Sequence, residues 1–391
     1  MQCLEERRIP TYTIDLSLPP LRRYQRVATE FLPHLASLTT LFDEIVPRPT
    51  FRGLARLLLR RLNSKEQTEE LRGIHLVTGL GMHLLVAFNV LLDLFMGCTS
   101  GGVKLSVEDR MLHFRTLDWG MDPLRKVIVQ LEYIRDGVKV ASAITYVGYV
   151  GVLTGVRKGL SISLNFRPVH NASTWLANVR FYLHHALVLF GCRPAISAIL
   201  RTILIPKDVS QALATLDLLL TELPATTTTA GYLVFCDGEQ AVTLEKDHNT
   251  AVMQSASDII VVTNHERAQE LGSGGWRPSH VESSHEGKLT DILDKIALSG
   301  IVAESTARKH CVTKLWEGTA KSDFSRISTM NGEEAITQNK VSDWLNTYPV
   351  TNALTHYAVL MDPKAGEIVW VKHYSDPRAL WDRLIHQDQA K

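Results

Sequence analysis

The chain has 391 residues, of which 45% are apolar and 21% charged, and a formal net charge of +1. That length and apolar content suffice to bury a sizeable core, while the balanced charge and the lack of a basic block argue against a nucleic-acid partner. The five cysteines, Cys3, Cys98, Cys192, Cys236 and Cys311, form no CxxC pair and no zinc spacing, so neither a disulfide-rich scaffold, a metal site nor a cofactor is expected.

In chain order, YTIDLSLPP from Tyr12 predicts one strand ended by two prolines. From Leu21 to about Val46 leucines recur near helical spacing, with a break at Pro33 and a stop at Pro47 and Pro49. Ser64 to Leu71 is a polar helix start or linker. A second helix leads through Met82 to Met96 and stops at Gly97. Its apolar stretch is interrupted by His83, Asn89 and Asp93, so it reads as a buried helix and not as a membrane span.

After Cys98 the texture turns to strands. Val127 to Ile134 and Val138 to Tyr146 flank the hairpin signal Asp136-Gly137, and Leu160 to Leu164 follows. Ser173 to Leu220 is mostly helical, and its part from Phe181 to Ile205 fits either a core helix or an interfacial apolar surface. Strands resume with GYLVF, AVTLEK and DIIVVTN, a Gly/Ser/His-rich loop spans Glu270 to Lys288, and helices run to about Leu345. HYAVLMDP and EIVWVKHY close the order as strands. Hairpins imply antiparallel pairing, so the fold class is α+β, with antiparallel sheets layered between helices. The opening MQCLEERRIP has no apolar core of a signal peptide, which points to the cytoplasm.

Cys98 follows an apolar helix and opens CTSGG; Arg115 and Asp118 lie downstream in HFRTLDWG. Taken singly, the cysteine reads as a small buried residue and the other two as a surface ion pair. Together with four further segments they resemble the acid ceramidase and N-acylethanolamine acid amidase family, a branch of the N-terminal-nucleophile hydrolases akin to choloylglycine hydrolase. PTYTIDLSLPPLRRY is similar to that family's YTIxLDxPPxxRW, GCTS to its CTS, HFRTLDWG to HGRNMDFG, and YVGYVGVLTGVRKGLSISLN to GYVGxLTGxxPGxFxxxxN. VVTNHER resembles VxTNYDxW, and PVTNALTHYAVLMDPKAG resembles PVxNxLTVYTTxxD.

The resemblance implies a four-layer αββα sandwich, with residues 1–97 as an α-subunit or propeptide segment and 98–391 as the catalytic β-subunit. It implies a cut between Gly97 and Cys98, after which the Cys98 amine is the base for its own thiol. Arg115, Asp118 and Asn264 then complete the catalytic set: Arg115 holds the cysteine or the polar head, Asp118 the new ammonium, and Asn264 gives its amide to the oxyanion. Asn165, Phe166 and Tyr149 are the expected substrate-binding residues. The implied substrate is a long-chain lipid amide, ceramide or N-acylethanolamine, with peripheral contact to a membrane or micelle and continued association of the two chains. An N-acyltransferase using the same thioester, or an inactive lipid-binding homologue, are the alternatives. Two features depart from the family pattern: Phe166 stands where Glu is usual, and VESSHEGK replaces DDRR, leaving Arg277, His285 or Lys288 to supply a second cation. A Cys3–Cys311 disulfide and a lysosomal or vacuolar location are also implied.

Overall fold

The computed structural model describes residues 8–35, 39, 49–91, 97–170, 174–206, 215–267, 289–325 and 335–376. Before Cys98 come β1 (Thr11–Asp15), the short helices α1 (Pro20–Arg23), α2 (Gln25–Glu30) and α3 (Leu32–Leu35), then α4 (Pro49–Leu58), α5 (Lys65–Thr78) and α6 (Met82–Leu91). Helix α5 starts where Ser64 accepts the Gln67 N–H at 3.3 Å, and it stops at Gly79, whose φ of 72° suits glycine.

From Gly97 onward the first run of elements is β2 (Gly97–Lys104), β3 (Met111–Asp118), β4 (Ile128–Arg135), β5 (Val138–Tyr146), β6 (Thr154–Arg157) and β7 (Leu160–Asn165). Helices α7 (Trp175–Leu189), α8 (Ile196–Leu204) and α9 (Leu216–Glu222) follow. Strands β8 (Gly231–Cys236), β9 (Ala241–Lys246), β10 (Ala251–Ala256) and β11 (Ile259–Val262) precede α10 (Leu289–Ser325), α11 (Gln338–Leu345), β12 (Thr355–Asp362) and β13 (Glu367–His373). The Asp136-Gly137 turn has φ values of 51° and 77°, the left-handed pair that matches hairpin twist.

Two sheets result. One runs β1-β4-β5-β6-β7-β8-β9-β10, the other β11-β2-β3-β12-β13. Pairing is antiparallel except where β1 lies parallel to β4. The sheets face each other: His113 on β3 bonds Ser161 and Ser163 of β7 at 2.9 and 2.8 Å, and Tyr357 on β12 meets Thr154 of β6 at 2.8 Å. Helix α8 covers β6 and β7, while α10 and α11 cover β2, β11 and β12. The order helix, sheet, sheet, helix is the four-layer α+β arrangement expected. Strands β3, β7, β8, β9 and β12 are buried along their whole length, which is why their sequences do not alternate.

Strand β10 has no counterpart among the expected elements. Its mixed AVMQSA sequence lies at a sheet edge with one exposed face, where packing imposes little pattern. Met82–Leu91 is helical as expected; the remainder of that tract, 92–96, lies outside the described residues, as does the expected loop from Glu270 to Lys288. The described part of the tract from Phe181 to Ile205 divides: α8 is a core helix, whereas α7 exposes Trp175, Leu176, Val179, Tyr182 and Leu183.

Candidate active site

Register places the site. Strand β2 pairs with β3 so that Gly97 faces Asp118, Cys98 faces Leu117 and Ser100 faces Arg115. On the other side β11 pairs Val262 with Ser100. Continuing that antiparallel register by two residues brings Asn264 level with Cys98. The Cys98 N–H donates to Asn264 Oδ1 at 2.7 Å. A glycine lets β2 sit here: a Cβ on Gly101 would run into the Ile260 carbonyl oxygen.

Cys98 is fully buried. Arg115 reaches it from the neighbouring strand, donating from Nη2 to Sγ at 3.2 Å. The guanidinium is fixed from behind: Nη2 also donates to the Leu164 carbonyl at 2.7 Å, and Nη1 to Thr154 Oγ1 at 2.6 Å and to the Leu153 carbonyl. Burial pushes the Cys98 thiol up, and the Arg115 charge opposes that shift by favouring the thiolate. Asp118 is buried beside Gly97 and is raised by desolvation, with the Arg308 charge and the Thr355 hydroxyl, which donates at 2.7 Å, holding it down. Arg115 and Asp118 are therefore not the surface ion pair that their spacing alone suggests; each is buried and points at a different partner.

The Asn264 amide is engaged by protein groups on both sides. Its Nδ2 donates to the Phe166 carbonyl at 2.8 Å, while Oδ1 faces Cys98 N. Phe166 thus enters the site through its backbone. Asn165 stands one step away: Ser100 donates to its Oδ1 at 2.7 Å, and its Nδ2 reaches the Val262 carbonyl at 3.3 Å, tying β7 to β2 and β11. Tyr149 is buried in the loop after β5 with its ring edge-on to Phe88 of α6, centroids 6.0 Å apart.

One residue of this cluster was not singled out from the sequence. Arg308, buried on α10, donates from Nη2 to Asn264 Oδ1 at 3.0 Å and from Nε to Thr99 Oγ1 at 3.2 Å, with Asp118 Oδ2 at 3.8 Å. Ser305, one turn earlier, accepts the Asn264 N–H at 2.6 Å. The signal lay in STARKHCV: Ser305, Arg308 and Val312 share the buried face of the helix, so a polar pair faces inward. Arg277, His285 and Lys288, the cations suggested by the motif, lie outside the described residues, as does Cys3 of the implied disulfide.

A family model described as the beta subunit of N-acylethanolamine-hydrolyzing acid amidase matches residues 7–62, within the segment before Cys98. Acid ceramidase of Mus musculus is 33% identical over 184 residues, covering 41% of this chain and 46% of that protein. The N-acylethanolamine-hydrolyzing acid amidase of Caenorhabditis elegans is 32% identical over 169 residues, covering 40% and 47%. These matches span about half the length of the curated relatives. A solved structure of a Caenorhabditis elegans N-acylethanolamine-hydrolyzing acid amidase ortholog aligns with TM-score 0.46 and 19% identity, covering 68% of this chain and 93% of that one. Over these partial stretches the chain is similar to acid ceramidases and N-acylethanolamine-hydrolyzing acid amidases.

Proposed function

We propose that the protein is a self-cutting cysteine amidase that hydrolyses long-chain lipid amides at Cys98. The observation that carries this reading is the convergence of Arg115, Asp118, Asn264 and Arg308 on the Gly97–Cys98 peptide bond. A buried cysteine of purely structural role needs none of these groups. Cleavage of that bond by water leaves a carboxylate on Gly97 and an amine on Cys98. The amine keeps its bond to Asn264 Oδ1, and its lone pair takes the thiol proton. The thiolate, held by Arg115, attacks the substrate amide carbonyl; the amine product leaves with the proton, and water hydrolyses the acyl thioester. Asp118, opposite Gly97, is placed to balance the ammonium that forms.

The relatives are, by name, an acid ceramidase and an N-acylethanolamine-hydrolyzing acid amidase. Here Phe166 offers the site no carboxylate head-group acceptor, so a palmitoyl ethanolamide should be turned over at least as fast as the matched ceramide. The substrate is taken from a lipid surface. Helix α7 exposes Trp175 at 76% together with Leu176, Val179, Tyr182 and Leu183, and α4 exposes Leu54 and Leu57. The backbone of Arg61, just after α4, abuts Gly191, just after α7. Arg56, Arg60, Arg61 and Arg180 are exposed along these segments, and residues 49–62 and 174–194 contain no Asp or Glu. Apolar and cationic faces together suit an anionic bilayer surface.

Cys98→Ala tests the reading. It should remain a single chain of 43.7 kDa on a denaturing gel and hydrolyse neither palmitoyl amide, while the wild type splits and hydrolyses. Hydrolysis by Cys98→Ala refutes the nucleophile; a ceramide rate more than about tenfold above the ethanolamide rate refutes the head-group argument.

A further inference from the structure

Asn89 is the polar interruption in the apolar helix α6, and the chemistry above does not use it. It is buried, and its side-chain amide is spent on backbone. Its Nδ2 donates to the Leu85 carbonyl and to the Gly148 carbonyl, each at 2.8 Å, and its Oδ1 accepts the Val150 N–H at 2.8 Å. It thereby mimics a strand neighbour for the loop between β5 and β6, where Gly148 takes a φ of 95°. The next carbonyl, of Val150, accepts from Arg201 at 2.7 Å. Arg201 is itself held by Glu70 of α5, which accepts from its Nη2 at 2.7 Å. Both anchors, Asn89 and Glu70, lie before Cys98 in the chain.

The loop matters because of where it leads. Its end supplies the Leu153 carbonyl and the Thr154 hydroxyl, two of the groups that hold the Arg115 guanidinium on Cys98 Sγ. Phe88, next to Asn89, packs edge-on against Tyr149 of the same loop and against Tyr146 at the end of β5. We propose that Asn89 is a positioning residue for the reaction at Cys98, acting through residues 148–154 on Arg115. The proposal rests on the reading of Cys98 as nucleophile, and it makes the N-terminal segment a lasting part of the active site.

Two variants of the full-length protein test it. Asn89→Leu leaves the Gly148 and Val150 groups unpaired; amide exchange across 148–154 should quicken, and kcat on palmitoyl ethanolamide should fall about tenfold or more with KM little changed. Asn89→Asp is nearly isosteric. When protonated, its carboxyl can donate to the Gly148 carbonyl and accept from Val150; when ionised, it sets a negative charge against two carbonyls. Its activity relative to wild type should approach unity at acidic pH and fall as pH rises, a titration that Asn89 itself cannot supply and a generic packing loss would not produce. Wild-type kcat in Asn89→Leu, or a wild-type pH profile in Asn89→Asp, overturns the proposal. Should the wild type hydrolyse neither palmitoyl amide, the proposed function falls and the exchange data alone decide the brace. Faster exchange at 148–154 in Asn89→Leu then sustains it, and unchanged exchange sinks it.

Discussion

Arg308 shows how much one residue can connect. A planar guanidinium reaches Thr99, Asn264 and the Asp118 carboxylate at once, and an ammonium on a flexible stem cannot. Arg308→Gln removes charge-assisted hydrogen bonds worth about 1.5–3 kcal/mol, so the split into two chains should slow roughly ten- to a hundredfold. Arg308→Lys should not restore it. A time course on a denaturing gel reads both, and wild-type splitting in Arg308→Gln would remove this residue from the site. Asp118 carries a pH signature. Its native pKa is raised, so between the unfolded value and the raised value the folded state binds more protons. Its contribution to stability is therefore present at low pH and lost as pH rises through that window. Asp118→Asn cannot titrate, so its melting temperature should decline less than that of the wild type as pH rises from about 4, near the unfolded carboxyl value. Parallel melting curves for the two proteins would contradict the assignment.

Among elements, α7 and α4 are built unlike the rest. Their outward faces are apolar with arginines among them, and among the described residues no helix is long and apolar enough to cross a membrane. A surface role requires that polar substitution there weaken lipid contact without touching the nucleophile. The double change Trp175→Glu with Leu183→Glu should lower sedimentation with phosphatidylserine vesicles several-fold, and added salt should weaken wild-type binding through the arginines. Hydrolysis of a short, soluble amide should be unchanged. Equal sedimentation of variant and wild type would show that this face has another use. Strand pairing works at the same scale: β11 delivers Asn264 to Cys98 because its register with β2 is set, and a slip of one residue would turn Asn264 to the other face.

Across the whole molecule the two sides of the Gly97–Cys98 bond are interlocked. Strand β1 completes the large sheet on β4, and the buried Glu70 pairs with Arg201 of α8, with Arg23 donating to the same carboxylate at 3.0 Å. Cutting the bond therefore leaves the two parts joined by a sheet edge, a buried ion pair and a common hydrophobic core. Glu70→Ala strands the Arg201 charge in that core and should cost about 3–5 kcal/mol, seen as a lower denaturation midpoint. The two chains of the cut wild type should co-elute on gel filtration. Separation of the chains without denaturant would refute the interlock.

The β4–β5 hairpin, its Asp136-Gly137 turn and the place of Cys98 are local facts. They depend on turn residues, β-propensity and a short motif, so the sequence alone determined them. The family resemblance singled out Arg115, Asp118 and Asn264, although it could not show that Asn264 directs its oxygen to Cys98 and its nitrogen to Phe166. What tertiary structure decided has a common cause. Arg308, Asn89 and Glu70 sit in helices whose patterns read as ordinary, and their partners lie far along the chain. A buried polar group is recognisable only once its burial and its partner are known, and both are set by which faces of distant elements meet. The same holds for α7: its apolar residues fit a core or a surface equally well until the structure shows which of them are exposed.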